Sequence, residues 1–194
     1  TMGKRKTVTV RISMKELLFD IGNETYLRSR TVRDDENFRQ AAYLFASEDD
    51  ENRDRLLRSV KSAWSEIRRE LAEYLDESAA SADNGPLSAA KDLVLTLAMP
   101  GNFNEAATAG IAESAHEFIK DRAVADWYTV TNINEAPSYA RLAAAALESV
   151  RLSAGSRRRP RRSCGYVDDD ESCGCMDEDS DRSCRCMAEE GGWS

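Results

Sequence analysis

Lys6-Thr7-Val8-Thr9-Val10-Arg11-Ile12-Ser13-Met14-Lys15-Glu16-Leu17-Leu18 changes its apolar period halfway along, and that change decides the fold class. Up to Ile12, the apolar Val8, Val10 and Ile12 alternate with Thr7, Thr9 and Arg11, the period of two of a half-buried strand. From Ser13 the period becomes helical. Met14, Leu17, Leu18 and Ile21 fall on one face, and Ser13 with Glu16 three residues later makes a capping box. Gly22-Asn23 is expected to end or weaken that helix.

One strand needs a partner. After the polar stretch Asp76 to Pro86, closed by Asn84-Gly85-Pro86, Leu93, Leu95 and Leu97 alternate with Val94 and Thr96 until Met99-Pro100-Gly101 stops the run. Two isolated strands of similar length in an otherwise helical chain most economically pair with each other, as a small sheet packed on helices.

The clearest helix lies between them. From Arg53 to Leu75, the residues Leu56, Val60, Ala63, Trp64, Ile67, Leu71, Tyr74 and Leu75 step by three and four along a core-facing stripe. At roughly 1.5 to 3 kcal/mol per large buried side chain, this stripe has an upper bound on the order of 10 kcal/mol. A weaker helical signal runs from Glu36 to Ala46 through Phe38, Ala41, Ala42 and Phe45. Asn102 with Glu105 opens a long helix to Val130, with Ile111, Ala115, Phe118, Ile119, Ala123 and Trp127 as its apolar stripe, and Thr131 to Asn134 breaks it. Pro137 suits the first turn of a last helix carrying Tyr139, Leu142, Ala143, Ala146, Leu147 and Val150, which Gly155 ends. The expectation is an α+β fold, mostly α: four to five helices, a two-stranded sheet, and a disordered tail.

Charge divides the chain in the same place. Ser163 to Ser194 holds ten Asp and Glu against two Arg, so the whole net charge of −8 belongs to the tail and the preceding body is neutral. A domain over residues 1–155 and a basic-then-acidic, Cys-rich tail over 156–194 follow. The balanced body has no global field to attract nucleic acid, so any such contact needs a local patch. No apolar run approaches the roughly 20 residues of a membrane span, and the opening residues do not form a signal-peptide core, which makes a soluble intracellular protein the expectation.

Catalytic motifs are missing from the sequence. No phosphate loop, dinucleotide fingerprint, nucleophile elbow or kinase signature occurs, and Asp49 and Asp50 lie in a polar stretch where nothing would raise a carboxyl pKa. His116 opens like a zinc-protease helix in His116-Glu117-Phe118-Ile119-Lys120, but Lys120 stands where the second histidine belongs, which leaves a surface histidine beside Glu113 and Glu117. The expectation is a protein that is not an enzyme and has no cofactor.

Two constellations remain. Arg55, Arg58, Lys61, Arg68 and Arg69 cluster within about 140° of arc opposite the apolar stripe, by the 100° step of a helix. They form either a surface for DNA phosphates or an acidic partner, or a solvated face interleaved with Glu66, Glu70 and Glu73. In the tail, Cys173, Cys175, Cys184 and Cys186 repeat a Cys-x-Cys unit that could hold zinc or copper(I), form disulfides, or belong to a dispensable disordered segment.

Met14 to Asn23, the strand Asp92 to Met99 with Pro100-Gly101-Asn102-Phe103, and Glu117 to Trp127 together resemble a family of uncharacterised structural proteins in phages and prophages of gut Bacteroidales. The likeness covers Val8 to Arg151 and omits the cysteine tail. The helix order, ending in Trp127-Tyr128 and a final short helix, is also similar to head-tail connector proteins of long-tailed phages. That resemblance implies an adaptor that closes into a ring of about twelve copies below the portal. Its partners would be itself, the portal and tail proteins, with DNA phosphates within reach. It would reside in the virion, and in the host cytoplasm during assembly. Another small virion or tail-assembly component is the first alternative. A metal- or thiol-binding protein acting through the tail is the second.

Overall fold

The structure, a computed structural model, describes residues 5–31, 50–76, 85 and 87–158. Strand β1 spans Lys6–Ile12, helix α1 Met14–Thr31, α2 Asp50–Glu70, β2 Leu93–Met99, α3 Ala107–Thr131 and α4 Ala136–Gly155, with a single 3-10 turn at Ala72–Tyr74. The expected α+β architecture of helices with a two-stranded sheet is what forms. By its contacts the chain divides into Thr1–Arg159 and Pro160–Ser194. The weaker helix signal of Glu36 to Ala46, the Asp49-Asp50 pair and all five cysteines lie outside the described residues or side chains.

β1 and β2 pair antiparallel, with Val8 opposite Leu97, Val10 opposite Leu95 and Ile12 opposite Leu93. The period of two places Val8, Val10, Ile12, Leu93, Leu95, Leu97 and Met99 on one buried face, while Thr7, Thr9, Arg11 and Val94 stay outside. Beyond β2, Leu75 bridges to Leu97, and the Asp76 N–H donates to the Thr96 carbonyl at 3.1 Å.

α3 is the hub of the domain. It packs against β1, α1, α2 and α4, and for that reason its burial extends beyond one stripe: Asp121, Val124, Ala125 and Tyr128 are enclosed together with the expected Ile111, Ala115, Phe118, Ile119, Ala123 and Trp127. α3 and α4 form an antiparallel hairpin about the turn at Asn132–Glu135. The helices come close where Gly110 faces Ser153, since a Cβ at Gly110 would lie 3.2 Å from Ser153 Oγ. Small residues of α4, Ala143 and Ala154, are buried, whereas Leu142 is 54% exposed despite its expected place in the core. It sits about 100° around the helix from the centre of the buried stripe, outside the arc that α3 covers.

Four boundaries differ from the sequence expectation, the first being that α2 runs Asp50–Glu70 rather than Arg53 to Leu75, the chain tightening into the 3-10 turn Ala72–Tyr74. α1 runs through Gly22-Asn23 to Thr31, because Ile21, Thr25 and Ser29 continue its buried face. The two hydroxyls satisfy themselves locally, Thr25 Oγ1 donating to the Ile21 and Gly22 carbonyls at 3.0 Å and Ser29 Oγ to the Tyr26 carbonyl at 2.6 Å. α3 begins at Ala107 after a turn, with Asn104 and Glu105 ahead of it. The chain also remains attached past Gly155. Phe103 bridges to Arg157, the Arg158 N–H donates to the Asn102 carbonyl at 2.8 Å, and the Asn104 N–H donates to the Ser156 carbonyl at 3.3 Å.

Candidate functional site

α2 supplies the basic face expected from sequence. Its buried stripe of Leu56, Val60, Ala63, Trp64, Ile67 and Leu71 fixes the helix's rotation, so Arg55, Arg58, Lys61, Arg68 and Arg69 lie on the side away from the core. They do not form one uniform patch. The Arg55 guanidinium stands 5.7 Å from the Trp127 ring centroid, Lys61 Nζ donates to the Gly85 carbonyl, and Arg69 lies 3.8 Å from Glu66 across one turn. Arg58 and Arg68 form no ion pair with any described residue. Ten residues of helix separate them, a rise of about 15 Å, so the face presents two separated guanidinium groups.

His116 departs from the expected surface histidine beside Glu113 and Glu117. Its Nε2 donates to Asp20 Oδ2 at 2.8 Å, tying α3 to α1 across 96 residues of sequence, and the side chain is only 20% exposed. The pairing was invisible in sequence because neither residue interrupts its helix's pattern.

A polar cluster that the sequence analysis missed joins α1, α3 and α4. Arg28 of α1 donates to Glu135 at 2.6 Å, and the Tyr139 hydroxyl of α4 donates to Glu24 of α1 at 2.6 Å. The Glu135 hydrogen bond holds the Arg28 guanidinium above its ordinary range despite partial burial. Between these pairs α3 contributes Lys120, Asp121 and Tyr128. Burial weighs against the Lys120 ammonium, but its bond to Glu117 and the charges of Asp121, Glu117 and Glu24 prevail and hold it above its usual value. Asp121 is 6% exposed, and burial pushes its carboxyl up against the pull of Lys120. Lys120 cannot offset that burial, because its closer partner is Glu117 and Asp121 Oδ1 lies 3.7 Å away. Burial, then the Glu24 charge, raises the Tyr128 hydroxyl to about 12, and burial, then the hydrogen bond to Glu24, raises Tyr139 further.

Tyr139 is therefore a neutral donor to Glu24 near neutral pH, and the bonds of Arg28 to Glu135 and of Tyr139 to Glu24 tie α1 to α4 and the turn before it. The one hint in sequence was a carboxylate, Asp121, three residues after Phe118 inside an apolar stripe.

Arg157, first of the basic block, folds onto the body. Nη1 donates to the Ala154 and Ser156 carbonyls at 2.8 and 3.1 Å, satisfying the end of α4, and its Cζ stands 6.0 Å from the Tyr74 ring centroid. Among the described residues no group of three or more His, Cys, Asp and Glu is placed to hold a metal ion, and no helix is long and apolar enough to cross a membrane. The candidate ligands Cys173, Cys175, Cys184 and Cys186 lie outside the described residues. In comparison with protein-family models, curated proteins and solved structures, none matches this chain.

Proposed function

We propose that this chain is a structural protein of a phage particle, a head-tail connector that closes into a ring below the portal. The resemblance of Met14 to Asn23, Asp92 to Phe103 and Glu117 to Trp127 to phage proteins is the starting point. The observation that carries the reading within the fold is that large apolar side chains of two helices are left exposed. Phe19 and Leu27 of α1 are 70% and 50% exposed, and Leu142 and Leu152 of α4 are 54% and 68% exposed. A cyclic ring uses two different flanks of each subunit, one for each neighbour, and apolar groups on two separate helices supply such flanks. The Arg58 and Arg68 guanidinium groups add charge that suits DNA phosphates or an acidic neighbouring protein.

The test is assembly. Mixed with the portal of its own phage and imaged, the protein is expected to add a cyclic layer at the tail-facing end. Absence from purified virions, or no association with portal or tail parts, would overturn the proposal.

A further inference from the structure

Among the described residues, no strand pairs with the outer edge of β1. The Asp76 N–H bonds the Thr96 carbonyl on the side of β2 away from β1. A residue's N–H and C=O leave an extended strand on the same side, so Leu93, Leu95, Leu97 and Met99 turn theirs toward β1. Through the register, Lys6, Val8, Val10 and Ile12 exchange bonds with them, and Thr7, Thr9 and Arg11 direct three N–H and three C=O groups outward. None of these six groups meets a backbone partner among the described residues.

The edge borders a trough with a second wall. Beside Lys6 to Thr9 lies a hollow lined across from the strand by Glu105 and Thr108, and beside Arg11 and Ile12 lies another lined by Ala112, Glu113 and His116. Glu105, Thr108, Ala112 and His116 step by three, four and four, so a single flank of α3 and its lead-in faces the whole strand. An open strand edge opposite a helix is the geometry in which an extended peptide adds to a sheet, its main chain bonding the edge and alternate side chains entering the trough.

The trough is also electrically polar along its length. At the start of β1, Arg5 is joined by Lys6 and Arg158, which share the single carboxylate of Glu105; at its end, Glu16 and Glu113 outnumber Arg11, while Glu117 is already paired with Lys120. For a given chain direction, only one charge order satisfies both ends. We infer that the β1 edge binds an extended segment of another protein, antiparallel to β1, with basic residues at its amino end and acidic residues at its carboxyl end. Antiparallel addition continues the existing ladder and is the more stable geometry per residue. In the register that sets Thr7 of one copy opposite Thr9 of the other, a second copy of β1 would bring its Arg11 opposite Arg5, a like-charge pair.

The test uses the full chain and a fluorescent nine-residue peptide with two lysines, alternating valine and threonine, and two aspartates, beside a twin with its charged ends exchanged. The first peptide is expected to bind at least about fivefold more tightly than the twin, and the Arg5→Glu, Glu113→Lys double variant should reverse that order. Thr9→Pro, which deletes an outward N–H, should weaken binding about tenfold or more. In the unaltered protein the peptide should slow amide exchange at Thr7, Thr9 and Arg11 and leave Val8 and Val10 unchanged. That readout does not depend on any variant folding. Absence of binding, equal affinity for both peptides, or protection elsewhere would overturn the inference. So would a concentration-dependent dimer of the unaltered protein that Thr9→Pro dissociates, which would make a second copy the occupant.

Discussion

Tyr128 and Tyr139 meet edge to face, with ring centroids 5.4 Å apart and planes at 63°, yet only one hydroxyl is satisfied. Tyr139 donates to Glu24 at 2.6 Å, while the buried Tyr128 hydroxyl has no hydrogen-bond partner among the described residues. The contrast explains why two chemically identical side chains should respond oppositely to loss of the same atom.

Tyr128→Phe removes an unsatisfied buried polar atom and keeps the ring contact, so urea denaturation should show a gain of about 1 kcal/mol. Tyr139→Phe leaves Glu24 without its donor and should cost about 1 to 2 kcal/mol. Alkaline pH adds an independent check. Both phenols are raised in the folded state, Tyr128 to about 12, so their contribution is complete below the ordinary phenol pKa of about 10 and disappears as pH rises toward the folded value. Either Phe variant should flatten the fall in stability above about pH 10; an unchanged alkaline limb would count against this assignment.

Gly22 lies inside α1, where an added Cβ would meet nothing within 4 Å. Gly22→Ala should therefore stabilise the protein by about 0.5 to 1 kcal/mol through helix propensity alone. A loss of melting temperature would mean that the added methyl meets a contact the helix does not show.

The pattern of this helix shows what the sequence revealed and what it could not. The period of two in β1 and β2 and the three-four step of α2 are direct consequences of burial on one face, so they were readable without a structure. The course of α1 past Gly22 depends on Thr25 and Ser29, polar residues that occupy the core face by bonding their own helix, which hydropathy patterns do not register. The clamp of Glu24, Arg28, Glu135 and Tyr139 was hidden for another reason. Its pairs are more than a hundred residues apart in sequence, and each member alone reads as an ordinary surface residue. Of the five basic residues on α2, the arc was legible, but the attachment of Arg55 to Trp127 and Lys61 to Gly85 required tertiary placement.

The end of the folded body can be located by truncation. Arg157 and Arg158 bond residues 102 and 103 and the end of α4, so the folded unit extends past the Gly155 boundary expected from sequence. Deleting 160–194 should change the melting temperature by no more than about 2 °C. Deleting 156–194 removes these backbone bonds and the Arg157 cap, and should lower it by about 4 to 8 °C. Equal effects from the two truncations would refute the contribution assigned to Ser156, Arg157 and Arg158.

The connector proposal makes a prediction about Arg58 and Arg68 that separates function from folding. Both lie off the buried stripe of α2 and form no ion pair with a described residue, so reversing their charge breaks no ion pair shown by the fold. Arg58→Glu with Arg68→Glu should leave helix content intact and shift stability by no more than about 0.5 kcal/mol per site. If these guanidinium groups face DNA phosphates or an acidic neighbour, the same double variant should impair particle completion, read as fewer filled, tailed virions in complementation. Arg55→Glu is the informative control. It breaks the cation–π contact with Trp127, 5.7 Å away, and should cost about 0.5 to 1 kcal/mol of stability. Normal particle yield from the Arg58, Arg68 double variant would remove the basic face from the assembly surface and leave the two apolar flanks to carry the ring contacts alone.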